Sequence, residues 1–287
     1  MYSELMLTLI YTFIFGSQYL GIALGISIIA GILRIFYVAY PALFLIPAYG
    51  TWMFWHDVGL PFELSIFLSF ALTFAIVALM HKFVTNKFLE TEDTMLMAFF
   101  LAYLIIEQII SLVYPEAAGV NLPTLIIPWM VLGIPGQLML IAIVSLAMIA
   151  LYIFFFVKTK TGLIMRAISQ SYLYSKIMGI NFGLMFSMAM IIAAIPPGVI
   201  MLLTSSVGPF NPYVGWTFFS YGIMVAVLGG LGNLKGTIIA AYVLGLVESV
   251  VAFLFSQPRL SILICLIIVE IMLILRPRGL ARAESVW

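Results

Sequence analysis

Long apolar runs separated by short polar stretches set the pattern of this chain. They cover residues 9–33, 38–55, 62–83, 94–114, 136–157, 183–203, 216–228, 237–256 and 260–275. Most have the roughly twenty residues that a helix needs to cross a hydrocarbon core. Two depart from an ordinary span: the second carries Pro41 and Pro47, and the seventh is short and ends in Gly229-Gly230. Interrupted spans are tolerated where the freed backbone faces protein or a water-filled cavity, so both are candidate pathway elements. The expected fold is all-α, a polytopic transmembrane helical bundle of about eight to nine spans with broken or short helices. Residues 1–287 are expected to form one domain, because no polar stretch is long enough for a second.

Composition agrees. The chain is 65% apolar and 8% charged, with a mean hydropathy of +1.24. A water-soluble domain cannot cover its surface with so few charges. The net charge of +1 gives no reason to expect nucleic acid as a partner. The single cysteine, Cys265, excludes an internal disulfide or a cysteine metal cluster and reads as a small buried hydrophobe. No cleavable signal peptide is expected, since the first residues lack a basic region and the apolar run from Leu5 continues past Ile32.

Charge then predicts orientation. Basic residues cluster at 81–87, at 158–176, at Lys235, and at Arg276, Arg278 and Arg282. Nine spans put all of these, with Arg34, on one face, which is assigned to the cytoplasm. The loops at 56–61, 115–135 and 205–215 contain no Lys or Arg, and only Arg259 breaks the pattern. The amino terminus is therefore expected outside and the carboxyl terminus inside a cell membrane.

Polar groups retained within apolar spans are the candidates for chemistry. Glu107, Glu248, Glu270, Gln18 and Gln108 lie there. Glu107 and Glu248 have no Lys or Arg within a helical turn, so each is expected to be protonated, hydrogen-bonded or open to a polar cavity. Glu270 lies close to the inner boundary, near Arg276. Gly21-x-x-x-Gly25 removes side chains from one helix face and predicts close helix packing. His56 and His81 fall on opposite sides of the membrane, which argues against a metal site. No Gly-x-x-x-x-Gly-Lys-[Ser/Thr] run occurs, and residues 229–237 carry their glycines and lysine in the wrong order. If ATP drives transport, another subunit hydrolyses it.

The segment 158–181, KTKTGLIMRAISQSYLYSKIMGIN, predicts a surface helix over 163–178 preceded by Gly162 and capped by Gly179. Met165, Ile168, Tyr172 and Ser175 fall on one face, and Arg166, Gln170 and Tyr174 on another. Such a helix suits a partner protein or lipid headgroups.

Arg166-Ala167 with Ser175-Lys176-Ile177-Met178-Gly179-Ile180-Asn181 resembles the coupling loop of branched-chain amino acid ABC importer permeases. Asn211-Pro212-Tyr213-Val214-Gly215, Ala226-Val227-Leu228-Gly229-Gly230-Leu231-Gly232-Asn233, Gly236 and Gly245-Leu246-Val247-Glu248 resemble that family in order and spacing. Gly16-Ser17-Gln18-Tyr19, Ala48-Tyr49-Gly50 and the closing Arg276-Pro277-Arg278-Gly279-Leu280 extend the likeness to nearly the whole chain. Three positions depart from the family pattern: Tyr37-Val38-Ala39-Tyr40-Pro41, Gln170-Ser171 in place of an acidic pair, and Tyr221 in place of a lysine.

The resemblance implies a permease without catalytic residues, metal or cofactor of its own, with ATP bound by cytosolic partner subunits. It also implies a second, related permease and an extracytoplasmic solute-binding protein. The solute would be a branched-chain amino acid or a similar small polar compound, with urea or amides as alternatives. Arg166, Ala167, Ser169, Gln170, Ser171, Ser175 and Gly179 are the implied coupling residues. Pro41, Asn211, Pro212, Gly229, Gly230, Gly232 and Glu248 are the candidates for lining or gating the path, the glycines by exposing backbone groups of an unwound turn. The rival class is a secondary transporter using an ion gradient through Glu107 or Glu248. A membrane-embedded enzyme lacks any supporting motif.

Overall fold

The computed structural model describes residues 2–88, 91–114, 119–123, 130–131, 134–170, 180, 182–276 and 279–280. Among the described residues, seven helices are long and apolar enough to cross a membrane. They are α1 (Tyr2–Ile28), α3 (Phe62–Met80), α4 (Glu92–Val113), α5 (Gly136–Lys158), α7 (Phe182–Thr204), α9 (Leu234–Ser249, extended by a π-turn to Leu254) and α10 (Ser261–Leu275). Two shorter apolar helices are deeply placed: α2 (Ala42–Trp52) and α8 (Val214–Gly229). An amphipathic helix, α6 (Lys160–Gln170), follows α5 directly. Strands β1 (Met130–Val131) and β2 (Ile134–Pro135) form a two-residue antiparallel pair.

The bundle is built around α1. Its membrane window is 83% buried, against 17% for α4 and for α10. α1 packs most extensively on the antiparallel α9. Small residues allow that approach: a Cβ on Gly245 would meet the Gly16 amide nitrogen at 2.5 Å. Hydroxyls pair along the same seam, Ser17 with Tyr242 at 3.0 Å and Ser27 with Thr237 at 3.1 Å. On other faces of α1, Gly21 packs against Ile200 and Ser145, and Gly25 against Tyr40 and the Ala193 carbonyl. Most remaining hydroxyls in the spans bond the carbonyl one turn back, as Ser145 does to Ile141 and Thr73 to Ser69.

Two prolines stand inside α7, Pro196 and Pro197. A proline cannot donate to the carbonyl four residues earlier, and in hydrocarbon that acceptor has no water to turn to. The Tyr152 hydroxyl of α5 donates to the Ile192 carbonyl that Pro196 frees. The Ala193 carbonyl freed by Pro197 lies against Gly25. The second span differs from its sequence outline. Its helix begins at Ala42 instead of 38, because Pro41 forces the residue before it out of helical geometry. Residues 34–41 are not helical; the chain turns over Tyr37–Tyr40 and enters α2 from Pro41.

Candidate coupling surface and translocation elements

The α6 helix starts one turn before the expected 163, and Gly162 lies inside it. Thr159, in extended backbone, receives the Gly162 amide on Oγ1 at 3.1 Å and the Leu163 amide on its carbonyl at 3.0 Å. That is an N-cap, and the Thr159 hydroxyl is the local signal that would have placed the start correctly. Glycine is needed at 162 because a Cβ there would meet the Phe155 carbonyl at 2.5 Å and the Phe156 Cα at 2.6 Å. The α5–α6 corner is consequently tight.

Met165, Ile168 and Ser169 are buried against the bundle, so the apolar face of α6 is already occupied by its own protein. Ala167 and Gln170 face outward, and Arg166 is half-buried. Arg34, in a left-handed conformation just past the π-turn that ends α1, donates from Nη2 to the Ser169 carbonyl at 2.8 Å. The sequence placed Arg34 on the basic face and gave no hint of this latch. Ser171, Ser175 and Gly179 lie outside the described residues.

The proposed path residues fall into three places. Gly229, Gly230 and Gly232 are buried at the basic end, together with the end of α1. A Cβ on Gly232 would stand 2.6 Å from the Gly31 Cα, and one on Gly229 would stand 2.5 Å from the Thr237 nitrogen. The sequence expectation is an unwound turn whose backbone is free for a solute; the structure spends these groups internally. Gly230 donates to Val227, Asn233 to Gly230, Gly236 to the Asn233 side chain at 3.1 Å, and Leu280 to the Leu228 carbonyl at 2.8 Å. In this conformation the turn is a packed corner that joins α8, α9, α1 and residues 279–280.

Pro41, Asn211 and Pro212 lie near the start of α8. The Asn211 side chain accepts from the Tyr213 amide at 3.1 Å and its carbonyl from Val214 at 3.2 Å, which turns the chain into the helix. Gly215 then passes so close to the Pro41 carbonyl that a Cβ would stand 2.7 Å from it. This contact ties the broken second span to the short α8. Glu248 is elsewhere, on α9, with Oε2 buried and unpartnered. It neighbours Cys265 of α10, which in turn neighbours Tyr221 of α8. Tyr221 stacks on Tyr19 with ring centroids 4.5 Å apart.

The other intramembrane polar groups are dispersed. Glu107 is buried one turn from Tyr103 on α4, Gln18 donates to Thr204 at 3.3 Å, and Gln108 and Glu270 are exposed. Among the described residues no group of three His, Cys, Asp or Glu is arranged to hold a metal ion.

A family profile described as branched-chain amino acid transport system / permease component matches residues 8–274. The chain belongs to that permease family. The high-affinity branched-chain amino acid transport system permease protein LivH of Escherichia coli K12 is 24% identical over 94% of this chain and 93% of its own length. LivH of Salmonella typhimurium matches with the same identity and coverage. BraD of Pseudomonas aeruginosa, a permease protein of the same kind of system, is 25% identical over 50% of this chain and 47% of its own. No solved structure matches. The family is the membrane component of ABC importers, which accounts for a multi-pass helical bundle of transport type.

Proposed function

We propose that this permease carries branched-chain amino acids, or a similar small solute, and is driven by separate ATPases that dock on α6 at the cytoplasmic side. The observation that carries this reading is the Arg34–Ser169 latch. It fastens the short surface helix to the end of α1, and α1 contacts α5, α7, α8 and α9. A push on the outward face of α6, at Ala167 and Gln170, is thereby delivered to the centre of the bundle. Energy arrives as preferential binding of one conformation, so a rigidly attached helix is what coupling requires. Solute would reach the path from an extracytoplasmic binding protein, and a second permease would complete the membrane core. Pro41 with Gly215, and Glu248, remain the proposed gating positions; the buried glycine corner would have to open to join them.

In the assembled complex, deleting residues 166–178 should abolish solute-stimulated ATP hydrolysis. Arg34→Ala, which removes a charged hydrogen bond of about 1.5–3 kcal/mol, should weaken stimulation while Arg34→Lys retains part of it. Unchanged stimulation in the deletion would refute the coupling role. Uptake that survives ATP depletion and collapses with the proton gradient would favour an ion-driven carrier instead. Thermal-shift screening of the cognate binding protein would separate amino acids from urea and amides.

A further inference from the structure

Between α2, α3 and α4 lies a cleft of about 280 Å³ that the transport reading does not use. Its walls are apolar, with Ile46 from α2, Leu72 and Ile76 from α3, and Ile106, Ile110 and Val113 from α4. It lies along the C-terminal half of α4. Up to Glu107 the helix buries a stripe of Met95, Phe99, Tyr103 and Glu107, with Phe99 edge-on to Tyr37 and Tyr103 stacked on Trp216. Beyond Glu107 the stripe continues through half-buried Ile110 and Tyr114, with the Tyr114 ring 5.5 Å from that of Tyr49, and the cleft opens between these residues and the α2 and α3 walls.

Among the described residues, a cluster of polar side chains stands at the end of the cleft. Tyr114, which lines it, donates to Asp57, whose other oxygen lies 2.9 Å from His56 Nδ1. Hydrogen bonds from His56 and Tyr114 hold the Asp57 carboxyl below its ordinary range, so it stays ionised at neutral pH. Its side chain is 42% exposed, and among the described residues no Lys or Arg forms an ion pair with it. Trp52 stacks on His56 at 4.5 Å, and Trp55 meets Phe62 edge-on, an aromatic band of the kind found at headgroup level.

We infer that this cleft is a lipid site, taking an acyl chain of an aminophospholipid whose ammonium group seats on Asp57. Water finds no partners within the cleft, and an empty apolar space there would forfeit dispersion contacts along three helices. The flanking Leu72, Ile109 and Leu112 are exposed on lipid-facing surface, so a chain enters sideways from the bilayer without crossing a polar barrier. A carboxylate in an aromatic-framed mouth favours a zwitterionic headgroup that presents an ammonium over an anionic one that has none. The inference rests on the membrane location of the chain and not on its solute.

The test is native mass spectrometry of the complete transporter, taken from nanodiscs of equal phosphatidylethanolamine and phosphatidylglycerol. The wild-type complex is expected to retain phosphatidylethanolamine preferentially. Ile109→Trp, at the cleft rim, should lose that lipid while basal ATP hydrolysis persists. Asp57→Asn should keep a bound lipid and lose the headgroup preference. A photo-crosslinker at 109 should capture phosphatidylethanolamine, whereas one at the fully lipid-facing 112 should capture both lipids equally. Identical lipid retention in wild type and Ile109→Trp would overturn the site, and so would crosslinking from 109 to another permease polypeptide.

Discussion

Close backbone approach and left-handed backbone conformation are separate demands, and two glycines isolate them. Gly59 has φ +76° with nothing within 4 Å of its would-be Cβ. Gly232 has φ +81° and the Gly31 Cα at 2.6 Å. Gly59→Ala should therefore cost only the left-handed penalty, about 1–2 kcal/mol. Gly232→Ala must also displace the end of α1, and its total should exceed about 4 kcal/mol, the range of diagnostic core lesions. Thermal unfolding of the two variants in one detergent would compare them, and equal losses would mean that the glycine corner is looser than its contacts indicate.

Between elements, the unusual joint is the one that repairs the broken α7. A hydroxyl from α5 satisfies a carbonyl that Pro196 strands in the apolar interior. Tyr152→Phe keeps the ring and removes only that donor, so it should destabilise the α5–α7 pair by about 1–3 kcal/mol. Replacing Pro196 by Ala in the same background restores the backbone donor and should recover most of the loss. A double-mutant cycle on unfolding midpoints would read the coupling; additive effects would separate the tyrosine from the proline. The same logic explains the tight α5–α6 corner, where Thr159 and Gly162 together set the angle at which α6 leaves the membrane helix.

Across the whole molecule, α6, the end of α1 and the α8–α9 corner collect at one end, while Asp57, Tyr114 and the Asn211 turn lie at the other. Orientation in the membrane follows the basic residues if the positive-inside tendency holds. Gln170→Cys and Val58→Cys, both exposed, should then label from the cytoplasmic and outer sides respectively with a membrane-impermeant maleimide. The native Cys265 is fully buried and contributes little background. Labelling of both from the same side would remove the proposed arrangement of partners.

By itself, the sequence determined the solvent, the helical class and the approximate spans. These follow from local quantities: a run of apolar residues selects lipid, and its length sets whether a helix can cross. Two features were readable and missed, the Thr159 cap and the proline pair in α7. Only the tertiary structure decided what the polar and glycine positions do. Arg34 meets Ser169 across 135 residues, and Ser17 meets Tyr242 across 225. Whether Gly230 offers its backbone to a solute or buries it depends on Gly31 and Gly279, which pack around the same corner from distant parts of the chain. The cleft beside α4 likewise has no linear signature, since a residue facing lipid and a residue facing a void are equally apolar.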